Sequence, residues 1–268
     1  MFRTRLISGI VLVLIALAVI LAGGPVLAAT LLLISEIGLF ELYRVLKVED
    51  RRPSPLALAG YLGTAVYYGI VFFGGSAYTM TVILGVLILC LAVYVFTYPR
   101  YRSEQVTGAV FGVLYVAVML SCIYELRCLD QGVYLVWLIF LGSWGCDTCA
   151  YCVGKLFGKH KMTPKLSPKK SVEGGVGGVA GAALLGAIYG YAISARMGGG
   201  SHIVPFAVIC AVGGLISMVG DLAASAIKRN HDIKDYGHLI PGHGGILDRF
   251  DSVILIAPVI YYLAVALV

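Results

Sequence analysis

Apolar residues run along the chain in nine stretches, near 5–22, 25–43, 55–73, 78–97, 106–124, 132–153, 174–195, 203–227 and 250–268. Each is close to the roughly 20 apolar residues that a helix needs to cross a bilayer. Gly23-Gly24 and Gly74-Gly75 separate two pairs of stretches and predict tight helical hairpins. The pattern therefore predicts an all-α, polytopic integral membrane protein with about nine transmembrane helices. The first stretch admits a second reading. Arg3 and Arg5, an apolar core and Val26-Leu27-Ala28-Ala29 look like a signal peptide and its cleavage site. That apolar core is longer than a signal core, and the next stretch follows at once, which favours a retained helix. With no internal repeat evident, 1–268 reads as one integrated membrane domain: N-terminal helices 1–131, then helices and cytoplasmic loops 132–268 that carry the polar chemistry.

Composition removes the soluble alternatives. Hydrophobic residues make up 60% of the 268 and charged residues 13%, about half the roughly 25% usual in soluble domains. The seven cysteines are odd in number and scattered through apolar stretches, so they do not read as a disulfide framework. A net charge of +6 suits anionic lipid or phosphate substrates. Its distribution says more. If the N-terminus is cytoplasmic, every one of the 20 lysines and arginines except Arg127 and Arg196 falls in an inside segment. That asymmetry predicts N-terminus inside, C-terminus outside and an odd number of spans.

Within this frame the intramembrane acids share a depth. Glu36 precedes Arg44 by eight positions, Asp147 precedes Lys155 by eight, and Asp221 precedes Lys228 by seven. At 1.5 Å per residue each lies about 10–12 Å inside the cytoplasmic end of its helix. Asp248 and Asp251 open the last helix on the same side. Acids in a membrane helix are costly and usually have a purpose, and this grouping has the shape of a metal site open to the cytosol and the inner leaflet.

Each candidate has a plainer reading. Asp248 and Asp251 are three apart and share a helix face; the plain reading is a helix N-terminus that favours a carboxylate. Two carboxylates would repel a polyanion unless Mg²⁺ bridges them to phosphate oxygens. Asp221 could be a hydrogen-bonded packing residue, although Ser225 and Lys228 continue its face. Between Asp147 and Gly174, the lysines fit any inside loop. Ser167-Pro168-Lys169-Lys170-Ser171 before Gly174-Gly175, however, also forms a turn and helix start suited to phosphate. Cys146, Cys149 and Cys152 suggest zinc but lack a fourth ligand. Glu41 is expected at the interface near Arg44. His160, His231 and His238 are expected in watery loops, and His202 outside.

Resemblance sharpens the picture. Ser225-x-x-Lys228-Arg229, Lys234-Asp235 and His243-Gly244-Gly245-x-x-Asp248-Arg249-x-Asp251 together resemble the signature of the phosphatidate cytidylyltransferase family. The block from Asp147 and Tyr151 through Gly154-Lys155 and Lys169-Lys170-Ser171 is similar to the same family, and the two blocks cover about a third of the chain. Ala224 stands where many members are expected to have Glu. The resemblance implies transfer of a cytidylyl group from CTP to phosphatidate, giving CDP-diacylglycerol and pyrophosphate, in phospholipid biosynthesis. It implies catalytic roles for Asp221, Asp248, Lys228 and Arg249. Asp221, Asp248 and Asp251 would hold Mg²⁺, alone or with a second metal ion. Substrate would be bound by Asp147, Tyr151, Lys169, Lys170, Ser171, Ser225, Arg229, Lys234, Asp235, His243, Gly244 and Gly245. The implied partners are CTP, phosphatidate in the inner leaflet, membrane lipid and a second copy in a homodimer, with no nucleic acid. The implied location is a bacterial plasma (inner) membrane, with the site facing the cytoplasm. Two alternatives stay open: a related kinase or transferase acting on a lipid such as an isoprenoid alcohol, and a cation-coupled transporter using Glu36, Asp147 and Asp221.

Overall fold

The structure, a computed structural model, describes residues 2–49, 54–198, 200–240, 242 and 244–268, with side chains from residue 9 onward except that of Ser76. Helices fill the apolar stretches: α1 (Phe2–Ala22), α2 (Gly24–Val45), α3 (Pro55–Phe72), α4 (Thr79–Phe96), α5 (Ser103–Cys128), α6 (Gly132–Phe157), α7 (Val172–Ile193), α8 (Ile203–Asn230) and α9 (Leu247–Leu267). Among the described residues eight of these, α2 to α9, are long and apolar enough to cross a membrane, and Gly9–Ala22 of α1 is a shorter apolar helix. The architecture is that of an all-α polytopic membrane protein. It carries one element the apolar pattern does not predict: β1 (Lys161–Thr163) and β2 (Ser167–Ser171) pair antiparallel between α6 and α7.

Local chemistry explains the turns. Gly23 and Gly24 have φ of 60° and 46°, and Gly74 has φ of 75°, values at which a side chain is strained. The two predicted glycine hinges sit at the α1–α2 and α3–α4 connections. Ser54 starts α3: its hydroxyl accepts from the Ala57 N–H at 3.1 Å, and Pro55 takes the first helical position. Two π-helical segments interrupt α5 (Val113–Val118) and α6 (Leu141–Gly145).

By its contacts the chain forms two compact units. The first comprises Met1–Tyr124 with His231–Arg249, and the second Glu125–Asn230 with Phe250–Val268. In the first unit, Leu31, Leu39, Leu42 and Tyr43 of α2 are buried. The Tyr43 hydroxyl donates to the Ala109 carbonyl at 2.8 Å, and Gly60 and Gly112 leave room for its ring.

In the second unit α7 buries a small residue every fourth position: Gly174, Gly178, Ala182, Gly186 and Gly190. Between helices in lipid there is no hydrophobic driving force, so close contact through small residues holds them. Gly178 lies against Cys146 of α6, and Gly186 against Phe206 and Cys210 of α8. A Cβ at Gly190 would come within 2.6 Å of the His202 carbonyl. This seam sets α6 and α8 against α7, and so positions the acids those two helices carry.

Candidate functional site

The polar residues fall into two groups, one in each unit. In the second unit, Asp147 on α6, Lys170 on β2 and Asp221 on α8 come together. Lys170 forms an ion pair with Asp221, and Asp147 lies within electrostatic reach of both. The hairpin explains why Lys170 is the lysine that turns inward. Successive strand residues face opposite sides, and Lys169 is exposed while Lys170 is half-buried. Ser171 ends β2 and caps α7, its hydroxyl accepting from the Gly174 N–H at 3.2 Å. Glu173 clasps the base of the hairpin: it accepts from the N–H groups of Lys159 and His160, and its Oε1 lies 2.6 Å from His160 Nδ1. His160, an exposed loop residue as expected, is thus also tied to α7.

On α8, Asp221, Ser225 and Lys228 occur at i, i+4 and i+7, one face of the helix. Lys228 is buried, at 9% exposure, in the last turn, where the helix dipole favours a cation. Arg229 beside it is exposed. Gly220 lets α8 approach α9 closely: a Cβ there would stand 2.8 Å from the Asp251 carbonyl. Asp251 therefore enters the second unit at the level of Asp221. Tyr151 is exposed on α6, with the Lys155 ammonium 6.0 Å from its ring centre. Cys146 and Cys149 pack against Gly178 and Gly181 of α7 while Cys152 is exposed, and among the described residues they form no group able to hold a metal.

The group in the first unit is the loop between α8 and α9. Lys234, Asp235, His238, Ile240, Gly242, Gly244 and Arg249 line a polar cavity of about 500 Å³. Asp248, at 6% exposure, binds the loop from inside: its Oδ2 accepts from the Tyr236 N–H at 2.8 Å and the Gly245 N–H at 3.0 Å. Gly244 has φ of 88° and presses on Asp248; a Cβ would lie 2.8 Å from Oδ2. The Ile240 N–H donates to the Gly244 carbonyl at 2.9 Å and closes the turn. His243 lies outside the described residues.

His238 stands exposed in its loop, as expected, and also lines the cavity. One residue here departs from the sequence reading. Glu41, expected at the interface near Arg44, is instead buried at 5% exposure. Its Oε1 accepts from the Ile246 N–H at 3.0 Å and its Oε2 from the Leu247 N–H at 2.9 Å. The expectation fails because two unpaired N–H groups at the start of α9 offset the cost of removing the carboxylate from water.

Among the described residues no group of three or more His, Cys, Asp or Glu side chains could hold a metal ion by itself. The donors do fit Mg²⁺, which commonly takes one or two carboxylates and completes its shell with water and substrate phosphate. Asp147 and Asp221 supply such a pair in the second unit, with Asp251 at the same level.

The fold and these groups define a polytopic membrane protein whose acids, lysines and glycine backbone are suited to phosphate groups. The sequence model of the Cytidylyltransferase family matches residues 3–267, and the chain belongs to that family. It is similar to phosphatidate cytidylyltransferase of Bacillus subtilis, 29% identical over 97% of each chain. It is likewise similar to the enzyme of the same name from Staphylococcus epidermidis, 29% identical over 98% of this chain and 99% of that one. The enzyme of that name from Staphylococcus saprophyticus is 28% identical over the same shares.

Proposed function

We propose that the protein transfers the cytidylyl group of CTP to phosphatidate, giving CDP-diacylglycerol and pyrophosphate. The observation that carries this reading is the polar cavity of about 500 Å³ where Lys234, Arg249 and the backbone of Gly242 and of Gly244 converge, in a chain of this family. Two cations and side-chain-free backbone suit a triphosphate.

In the reaction, an oxygen of the phosphatidate phosphomonoester attacks the α-phosphorus of CTP. A new P–O bond forms, the bond to the bridging oxygen of the β-phosphate breaks, and its electron pair leaves with pyrophosphate. A phosphomonoester has its second pKa near 6, so the nucleophile is already an anion at neutral pH and needs no strong base. The work of the protein is to hold two anions in line and offset their charge. Lys169, Lys170, Lys228 and Arg229 are the proposed phosphate contacts of the second unit; Lys234 and Arg249 are those of the first. Asp235 and His238 would orient the nucleotide. The carboxylates proposed to meet Mg²⁺ are Asp221 and Asp251 in the second unit, with Asp147 beside Asp221, and Asp248 in the first; a bound ion would neutralise phosphate charge.

The decisive experiment follows the label. CTP labelled at the α-phosphate should place label in lipid only when phosphatidate and Mg²⁺ are both present, while label at the γ-phosphate appears only in pyrophosphate. Movement of γ-label into lipid would replace this reading with a lipid kinase. Ion flux in liposomes without transfer of either label would replace it with a transporter.

The charge asymmetry supports nine spans with the loops 155–173 and 228–248 in the cytosol, and the bacterial relatives favour the inner membrane of a bacterium. Lys165 and Ser201 are both exposed and lie in successive connections. In a cysteine-free background, Lys165→Cys should react with an impermeant maleimide only from the cytosolic side, and Ser201→Cys only from the outside. The reverse pattern would turn the site away from CTP.

A further inference from the structure

We propose that Glu41 is the positioning residue for Asp248, fixing the start of α9 so that the Asp248 carboxylate and the Gly244–Arg249 edge of the cavity keep one geometry. This rests on reading the 231–249 loop as part of the reacting site.

A helix start is ordinarily capped by a polar side chain immediately before it. The residue before α9 is Ile246, which has no acceptor. The cap comes instead from Glu41 on α2, 205 positions earlier, with one carboxylate oxygen on Ile246 N–H and the other on Leu247 N–H. Asp248 is the next residue. Its own carboxylate holds the Tyr236 and Gly245 N–H groups. Four backbone donors of one loop are thus divided between two acids.

The loop glycines match this arrangement. Gly237 and Gly245 both lie directly against the Glu41 carboxylate, and a Cβ at either position would overlap it. Gly245 therefore rests its Cα on Glu41 while its N–H donates to Asp248. The two carboxylates also repel each other within this space. Such a placement persists only because each is anchored by N–H donors. Moving Glu41 would release Ile246, Leu247 and Gly245 together, and with them the direction of Asp248. The body of α9, apolar from Val253 to Ile260 and buried at Val253, Ile254, Ile256, Ala257 and Ile260, stays anchored without the cap. The consequence is displacement at the site.

The test uses the full chain in detergent–lipid micelles with CTP and phosphatidate. Glu41→Gln turns one acceptor into a donor facing an N–H. Its kcat per folded molecule should fall by about 10²-fold, the loss expected when reacting groups are misplaced by about 1 Å, with KM for both substrates little changed. Hydrogen exchange should quicken at residues 244–248 and stay slow in α3. Glu41→Asp keeps the charge on a shorter stem and should restore part of kcat; it serves alone if the Gln variant does not fold. Faster exchange at 244–248 with wild-type kcat would reduce Glu41 to a structural cap and overturn the proposal. Unchanged exchange would overturn it as well. Absence of label transfer by the wild type is a different failure, because it removes the cytidylyltransferase reading itself.

Discussion

Asp248→Asn should abolish turnover while leaving the protein folded. The amide oxygen of Asn can occupy the position of Oδ2 and accept from Tyr236 and Gly245, the two bonds that hold the loop. Size and loop geometry survive, and the negative charge is lost. If Asp248 meets Mg²⁺ or organises charge at the reacting phosphates, its removal costs about 10³-fold or more, in line with the loss of a single electrostatic group in other active sites. The α-label assay at saturating Mg²⁺ reads the activity, and thermal unfolding in detergent reads the fold. Asp248→Ala separates the two functions from the other side. It strands two N–H groups in a buried loop at about 1–3 kcal/mol each, so it should lower the unfolding temperature as well as the activity. Near-wild-type turnover in the Asn variant would leave Asp248 as a loop-binding acid only.

The spans are legible in the sequence because a membrane helix is a local pattern: about 20 apolar residues in a row. The same logic makes the glycine hinges legible, since Gly23, Gly24 and Gly74 adopt positive φ where a turn requires it. Asp147 and Asp221 stand at similar distances along their helices from the next basic residue, which groups them on sequence alone, and in the structure both lie near Lys170. The β-hairpin is not legible. Its strands run through Lys161–Thr163 and Ser167–Ser171 without an apolar face, so no period-2 hydrophobic signal marks them. Without the hairpin, nothing distinguishes Lys170 from Lys169. Glu41 is hidden for another reason. Its partners are backbone N–H groups of Ile246 and Leu247, and backbone donors leave no trace in residue identity. The available hint was indirect: Gly237 and Gly245 flank the loop where a side chain would strike the carboxylate.

Lys170 carries the second large prediction, because it faces two acids at once. The ammonium pairs with Asp221, and about a quarter of the Lys170 side chain and 30% of that of Asp221 remain exposed. Removing one partner from a fully buried pair costs about 3–5 kcal/mol. Partial exposure reduces this, and Lys170→Met should cost about 1–3 kcal/mol. Asp221 and Asp147 would then repel without the cation between them. Under the proposed reaction Lys170 is also one of the charges that accept a phosphate, so kcat/KM should fall by about 10²–10³-fold. Lys170→Arg keeps the charge but replaces a compact ammonium with a planar fork, and should recover stability more fully than activity. Lys169→Met, on the exposed side of the same strand, should leave stability unchanged and weaken the reaction mainly at low salt, where surface charge steers anions best. The double variant Lys170→Met with Asp221→Asn separates the two contributions. If the pair is chiefly structural, the double variant regains stability and activity together. If Lys170 and Asp221 act on the substrates, stability returns toward wild type while turnover stays at the level of the worse single variant.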